Sequence, residues 1–95
     1  MPDDRAADWL ADWTGRIVVV DVRAPYVYIG VMRGRQGEYL ALEDAEAHDL
    51  RDSTTTRELY VLDTRRHGVR RNRKRVLVRL DEVVAVSLLE EVVDR

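Results

Sequence analysis

Residues 26–45 read YVYIGVMRGRQGEYLALEDA, and this stretch carries the strongest structural signal in the chain. Apolar side chains flank Gly30 two residues away on each side, and Leu40 and Leu42 alternate further along. Alternation with a period of two is typical of a β-strand. A glycine inside a strand marks a sharp bend or a close approach of two backbones. The stretch therefore predicts two strands, the first bent at Gly30, joined by a turn at residues 34–37.

A second stretch, residues 75–88, reads RVLVRLDEVVAVSL and repeats the strand pattern. Val76, Val78 and Leu80 alternate with other side chains, the pair Asp81–Glu82 interrupts the pattern, and an apolar run follows. Such a two-residue break between apolar runs indicates either a tight hairpin or a corner of a barrel. Two further strands are predicted here, at residues 76–80 and 83–89.

The rest of the chain adds one strand and two helices to this pattern. Trp9, Leu10 and Trp13 recur at helical spacing, which predicts a helix at residues 3–14 that Gly15 ends. Residues 16–22 form the first strand, and the second and third strands are expected at 26–33 and 38–45. We interpret the two tryptophans as a cover over one open end of the sheet.

Residues 46–74 form a long insertion between the third and fourth strands. A structureless loop of that length is improbable in a compact domain. Thr55 and Glu58 have the spacing of a capping box, and Gly68 is placed to end a helix. We therefore predict a helix at residues 56–66. An extension of the strand through residues 58–63 is the competing interpretation, because that segment also has β character.

The two strand-forming stretches resemble the two sequence motifs of the Sm-like (LSm) family, in a divergent member of bacterial type. The first motif is matched by an aromatic residue, a glycine, a long apolar residue, two alternating leucines and an Asp-Ala pair, here Tyr28, Gly30, Met32, Leu40, Leu42, Asp44 and Ala45. The second motif is matched by Val78, Arg79, Val83 and Val86. The resemblance covers a little under half of the chain.

This resemblance implies a mainly β fold: a small, strongly bent, five-stranded barrel of SH3-like or Sm-like type. It would carry the N-terminal helix and the helical insertion as one domain, residues 1–95. In the family, an Asp and an Asn of the first motif and an Arg of the second build a uridine pocket. The Arg corresponds to Arg79, whereas the Asn position falls on Tyr39 and the motif Asp has no counterpart. Tyr39 could stack a base or simply pack on the strand.

The resemblance also implies a homo-oligomeric ring, in which the fourth strand of one subunit pairs with the fifth of the next. Both strands are rich in valine here, and an exposed apolar edge is an aggregation hazard unless it is paired. Ring closure removes such an edge. We expect the interface at Val76, Val78, Val84 and Val86.

Composition excludes several classes of protein. The chain has 95 residues, no cysteine and a formal net charge of −2, so disulfide and thiol chemistry are not available. No apolar run approaches the roughly 20 residues of a membrane span, and the acidic start is unlike a signal peptide. We expect a soluble cytoplasmic protein that does not enter a membrane.

Charge is divided unevenly along the chain. Residues 1–50 carry ten acids and five bases, whereas residues 51–95 carry eight acids and eleven bases. The excess of bases lies in RRHGVRRNRKR, residues 65–75. Dense arginines suit phosphates, which predicts RNA contacts at Arg70, Arg71, Arg73, Lys74 and Arg75. The resemblance to the Sm-like family adds Tyr39 and Arg79 to the expected RNA contacts. The alternative is that these arginines pair with acids such as Glu46 and Asp49, within one subunit or between subunits.

Residues for catalysis are not evident. His48 and His67 are far apart in the sequence, and neither belongs to a metal-ligand pattern. We therefore predict no enzyme, no cofactor and no metal site. Three hypotheses remain: an RNA-associated ring that contacts backbone phosphate, a ring scaffold that has lost RNA binding, and a small enzyme using His48 with nearby carboxylates. The first is favoured, and the missing nucleophile and base argue against the third.

Overall fold

A computed structural model of the chain describes residues 4–52 and 54–94, with side chains from Trp9 onward. The helices are α1 (Asp4–Trp13) and α2 (Arg57–His67), and the strands are β1 (Ile17–Val22), β2 (Tyr26–Gln36), β3 (Tyr39–Asp49), β4 (Arg73–Arg79) and β5 (Val83–Leu88). Short 3-10 turns occupy Leu50–Asp52, Leu80–Glu82 and Leu89–Glu91. Residue 3, where we expect the first helix to begin, lies outside the described residues.

The five strands form one antiparallel sheet in the order β4-β3-β2-β1-β5. The predicted fold class is confirmed: a bent five-stranded sheet with an N-terminal helix and a helix between β3 and β4. In the described sheet, β4 pairs with β3 alone and β5 with β1 alone. The break at Asp81–Glu82 is thus a corner, a 3-10 turn, and the hairpin alternative is wrong.

The sheet bends where β2 approaches its neighbour β3 closely at Gly30. A Cβ on Gly30 would lie 2.7 Å from the Ala45 Cβ and 3.1 Å from the Glu43 carbonyl oxygen. The β2–β3 register shifts at this point. On the opposite strand Asp44 has a φ of 47°, in the left-handed region that Asp tolerates better than most residues. Gly30 and the Asp44–Ala45 pair therefore act together, because one removes a side chain and the other redirects the strand.

The hairpin between β2 and β3 is tighter than expected. Gln36 pairs with Tyr39, so only Gly37 and Glu38 form the turn, and Gly37 has a φ of 59°. Gly34 lies inside β2 instead, at a second register shift, with a φ of 111°. The predicted turn at residues 34–37 is wrong in its extent, because the first glycine of the pair serves a β-bulge.

Two hydrophobic clusters lie on opposite faces of the sheet. The larger contains nine buried residues, among them Met32, Leu40 and Leu42. Trp9, Leu10 and Trp13 of α1 pack against it, and a cover over one open end of the sheet stays a prediction for the two tryptophans. The smaller cluster joins Val19, Val27, Ile29, Val61 and Leu89, and it seats α2 and the C-terminal segment.

The insertion is part strand and part helix. β3 continues to Asp49 and β4 begins at Arg73, so both ends of the predicted 46–74 insertion belong to the sheet. The helix itself is confirmed, and the strand extension through residues 58–63 is wrong. The Thr56 side chain caps the helix by accepting from the Leu59 amide at 3.3 Å, one residue after the threonine that we expected to cap it. Gly68, with a φ of 90°, ends the helix as predicted.

Candidate nucleic-acid interface

Tyr39 and Arg79 are directly opposite each other on the paired strands β3 and β4. They are the positions that correspond to the family's Asn and Arg, about 40 residues apart in the sequence. Tyr39 is 40% exposed, and Arg79 is exposed as well. The register of β3 with β4 places an aromatic face and a guanidinium on the same outer surface, and this arrangement is able to stack a base and bind a phosphate.

Two loops close this end of the sheet. The Leu80 amide donates to the Glu38 carbonyl oxygen at 2.9 Å, which ties the β4–β5 corner to the β2–β3 turn. The Arg35 Nε–H donates to the Gly37 carbonyl oxygen at 2.7 Å. A cavity of about 310 Å³ is lined by Arg35, Glu38, Arg79, Leu80 and Asp81. The corner and the turn thus form one small polar recess beside Tyr39.

The outer surface of β4 extends this recess into a basic stripe. Val76 and Val78 pack on the larger cluster, so Arg75, Leu77 and Arg79 face outward, and strand alternation puts Arg73 on the same face. At roughly 3.3 Å per residue, the stripe from Arg73 to Arg79 is about 20 Å long. We call Arg73, Arg75, Arg79 and Tyr39 the basic stripe. Its length matches several nucleotide steps of an extended single strand.

Arg70, Arg71 and Lys74 lie off this stripe. The Arg70 backbone amide donates to the Glu46 Oε1 at 2.8 Å, at the junction of α2 with the sheet. Lys74 projects from the opposite face of β4 to its neighbours in sequence. The structure therefore places Arg73 and Arg75 on the outward face of β4, Lys74 on the other face, and Arg70 and Arg71 before the strand begins.

Among the described residues, the segment 65–75 and the basic stripe have few acidic partners. Arg66 pairs with Asp94, and Arg79 with Asp81 at 2.8 Å. Within residues 4–52 and 54–94, no ion pair involves Arg70, Arg71, Arg73, Lys74 or Arg75.

The two acids proposed as intramolecular partners are engaged elsewhere. Glu46 is 5% exposed and accepts from the Tyr60 hydroxyl and from the Arg70 backbone amide. Asp49 accepts from Arg51, and these hydrogen bonds lower the pKa of Asp49 to about 2. Pairing of the Arg70 and Arg71 guanidinium groups with these two acids within the chain is therefore not what the structure shows.

The four expected interface valines lie on the two outer strands but differ in exposure. Val84 is 65% exposed, Val76 and Val86 are half-buried, and Val78 belongs to the buried core. The free edges of β4 and β5 are flanked by apolar side chains, including Leu77 at 46% exposure. Leu77 was not singled out from the sequence, although its place between outward arginines follows from alternation.

His48 and His67, which are far apart in the sequence, line one cavity of about 260 Å³ together with Glu46, Tyr60 and Asp63. The His48 ring stacks on Tyr60 with centroids 3.9 Å apart, and its Nε2 is buried without a hydrogen-bond partner among the described residues. In the described part of the chain, no group of three His, Cys, Asp or Glu side chains could hold a metal ion.

Arg35 is a basic residue of the site that was not among the expected RNA contacts. It lines the recess beside Tyr39, whereas Arg33 pairs with Glu43 at 3.1 Å between Nε and Oε2. Assigning residues 34–37 wholly to a turn concealed the place of Arg35 in β2.

No protein-family sequence model and no curated protein sequence matches this chain. Similarity appears at the level of solved structures. The Sm protein of Pyrococcus abyssii in complex with a uridine heptamer is 18% identical, with a TM-score of 0.58 over 85% of this chain and 93% of that one. The Sm protein heptamer of P. aerophilum is 25% identical, with a TM-score of 0.57 over 85% and 88% of the two chains.

A third match comes from a different assembly. A chain of the NatC complex bound to CoA is 15% identical, with a TM-score of 0.56 over 87% of each chain. The fold is thus found both in Sm protein heptamers and in a complex of another kind. The bacterial character of the sequence resemblance stays a prediction, since the P. abyssii and P. aerophilum matches are archaeal.

These structural matches cover 85 to 87% of this chain at TM-scores of 0.56 to 0.58. Across residues 4–52 and 54–94, none of the helices has the length and apolar character needed to cross a membrane. The chain has the Sm-like fold.

Proposed function

We propose that this chain is a non-catalytic subunit of a homo-oligomeric Sm-like ring that associates with RNA through backbone phosphates. The single observation that carries the proposal is the pairing of Tyr39 with Arg79 at the end of the basic stripe. We further propose that residues 1–95 act as one domain, since α1 and α2 pack on opposite faces of the same sheet.

The chemistry of the stripe favours phosphate contacts over reading of bases. A guanidinium donates to phosphate oxygens with a planar fork, whereas the family's amide and its acidic neighbour are replaced. Asp81 holds Arg79 in an exposed ion pair, and exposed pairs are worth on the order of 0–1 kcal/mol. A phosphate can therefore displace Asp81, and binding should be weakly selective among RNA sequences.

A ring explains the two free edges of the sheet. β4 and β5 each lack a second neighbour among the described strands, and pairing of β4 with β5 of the next subunit would extend the sheet without an open edge. The P. aerophilum Sm protein is a heptamer, which supports closure in this chain.

Titration of labelled single-stranded RNA at two ionic strengths tests the RNA part of the proposal. We expect affinity that falls steeply with salt, because each neutralised phosphate releases counterions. Arg75→Ser combined with Arg79→Ser should weaken binding to all sequences alike and flatten the salt slope. Arg65→Ser, an exposed arginine on α2, is the control. Tyr39→Ala should cost about 1–3 kcal/mol of binding if the ring stacks a base.

Light scattering tests the ring. The wild type should have a multiple of the monomer mass at micromolar concentration. Val84→Lys should lower that mass, because it puts an ammonium into an apolar interface, and it should leave the subunit fold intact, since Val84 is 65% exposed. A monomeric wild type would refute the ring.

The second candidate is a scaffold that keeps the ring and does not bind RNA. The replacement of the family's base-reading amide by Tyr39 and the likeness to a chain of the NatC complex favour it. If RNA does not bind at the lower ionic strength and the oligomeric mass is intact, the scaffold is the candidate that remains. In that case, the arginines that lack an ion pair among the described residues would serve contacts between subunits.

A further inference from the structure

We propose that a groove between α2 and the C-terminal segment receives the basic segment Arg70–Lys74 of a neighbouring subunit. The inference rests on the proposed ring and assigns a partner to bases that lie off the basic stripe. The groove is formed by a helix that belongs to this chain's own insertion, so it is a separate feature from the recess beside Tyr39.

The groove has a volume of about 470 Å³ and an apolar character along its length. Val19, Val61 and Val92 line it together with Leu59 and Val93. Leu59 is 56% exposed and Val93 is 71% exposed. Two large apolar side chains that are so exposed on one groove indicate a surface that is covered in the assembled protein.

The charges of the groove are mainly acidic. Asp21, Glu58 and Asp94 line it, against the single base Arg57, which pairs with Asp21 at 3.4 Å. Arg66 pairs with Asp94, so the three acids and the two bases beside them leave a formal charge of −1, carried by Glu58. The segment Arg70–Lys74 carries four bases and one asparagine. Complementary charge of this kind selects a partner and fixes its orientation.

Position along the two free edges makes the segment and the groove neighbours in a ring. Ser87 of β5 lines the groove, and the C-terminal segment that follows β5 forms one of its walls. The segment Arg70–Lys74 leads directly into β4. Every strand pair in this sheet is antiparallel, and antiparallel pairing of β4 with β5 of the next subunit puts the start of β4 beside the end of β5.

The assignment leaves Arg75 and Arg79 of the basic stripe for RNA, and Arg73 belongs to both the stripe and the segment. Arg75 and Arg79 face outward on β4, Lys74 lies on the other face of the strand, and Arg70 and Arg71 precede the strand. One short basic run can therefore serve two partners, because its strand alternates and its first residues precede the strand. Apolar contact with Leu59 and Val93 would add to the charge pairing through the aliphatic stems of the arginines.

Charge reversal across the interface tests the inference. Arg71→Glu and Glu58→Arg are made singly and together in the full chain, and the mass is followed by light scattering over a dilution series. Each single change should raise the concentration of half-assembly by about tenfold or more, because like charges face each other across the interface. The double change restores opposite charges and should restore assembly.

Arg65→Glu is the matched control, since it makes the same charge change on an exposed arginine outside the segment. Thermal unfolding at a concentration where all variants are monomeric separates lost assembly from lost folding. Restoration in the double variant, with no effect of the control, is the supporting result. If Arg71→Glu assembles as the wild type does, the groove is not the contact even though the ring stands.

RNA titration of the same variants separates this inference from the proposed function. Loss of RNA affinity in Arg71→Glu at unchanged mass would mean that Arg71 contacts RNA and would overturn the inference. A wild type that is monomeric at all concentrations would overturn both the ring and the groove contact. Failure of RNA binding with rescue of assembly in the double variant would refute only the RNA part of the proposed function.

Discussion

The bent sheet and the α2 insertion are held in place by different kinds of contact. In the sheet, Ile29, Met32, Leu40 and Leu42 have no exposed surface, and Gly30 lets two backbones meet at contact distance. In α2, Val61 and Thr64 are the buried residues.

The insertion depends instead on a few polar anchors. Glu46 accepts from Tyr60 of α2 and from the amide of Arg70, and Asn72 exchanges hydrogen bonds with the backbone of Ala47 at 3.0 and 3.2 Å. The difference teaches that the sheet is specified by shape and apolar burial, whereas the insertion is specified by satisfied polar groups. Variants in the two regions should fail in different ways.

The largest expected effect is that of Gly30→Val. The valine Cβ would lie 2.7 Å from the Ala45 Cβ and 2.9 Å from its Cα, so the strands must separate. We expect a loss near the upper end of about 1–3 kcal/mol in the free energy of unfolding, measured by urea denaturation. Unchanged melting would show that the strand crossing does not limit the fold.

A size exchange sharpens this test. Gly30→Ala should destabilise less than Gly30→Val. Ala45→Gly in the same chain should recover part of the loss, because it removes the Ala45 Cβ, which is the atom nearest to the new side chain. The recovery stays partial since the Ala45 Cα and the Glu43 carbonyl oxygen remain close.

Glu46→Ala should have the next largest effect and should act on the insertion first. It leaves the Tyr60 hydroxyl and the Arg70 amide without their acceptor, which costs about 1–2 kcal/mol. Relative to the wild type, hydrogen exchange should accelerate more at the amides of α2 than at the amides of β1 and β2. Tyr60→Phe removes one donor only and should cost less. Equal acceleration in the helix and in the sheet would mean that the two regions unfold as one unit.

The smallest effect is a dependence on pH at Asp21, where the two regions touch. Burial raises the pKa of Asp21 above 3.8, and the opposing influence of Arg57 is smaller. The folded state thus holds this proton more tightly than the unfolded state. The resulting stability is full below pH 3.8 and is lost as pH rises through the raised pKa. In the wild type, the unfolding free energy should therefore fall as pH rises from 3.8 through the raised pKa of Asp21. Asp21→Asn should remove this fall, as measured by urea denaturation at a series of pH values.

Asp49 gives a control of opposite sign. Hydrogen bonds from Arg51 lower its pKa to about 2, so its contribution to stability is present above pH 3.8 and is lost as pH falls toward 2. Asp49→Asn should flatten the plot of unfolding free energy against pH below pH 3.8. Asp21→Asn should flatten the same plot above pH 3.8, up to the raised pKa of Asp21. The same change in slope for both variants would contradict the assigned pKa shifts.

Sequence reasoning succeeded where one residue has one physical use. Gly30 inside an alternating stretch indicated the close approach of β2 and β3, and Gly68 indicated the end of α2. It failed where a residue has several uses. Gly34 suits a turn as well as a bulge, and the threonine run offers adjacent candidates for the helix cap, so local chemistry could not choose between them.

The candidate site was predicted as a list of residues but not as a surface. The basic run appeared as one feature, because a sequence shows neither where a strand begins nor which way its side chains point. β4 begins at Arg73, and this start assigns Arg73 and Arg75 to the face of Arg79 while it leaves Arg70 and Arg71 outside the strand. Arg35 joined the site only because the β2–β3 turn and the β4–β5 corner enclose one recess.

By itself the sequence determined the strands, the two helices and the bend, since apolar alternation, helix capping and a glycine's missing side chain act over a few residues. Only the tertiary structure decided that the fourth and fifth strands form opposite edges of the sheet. It also decided that the Glu46 carboxylate accepts a hydrogen bond from the Arg70 amide and that α2 and the C-terminal segment form a groove. These features depend on contacts between residues far apart in the chain, and such contacts form only when the packing of the whole sheet has fixed the strand register.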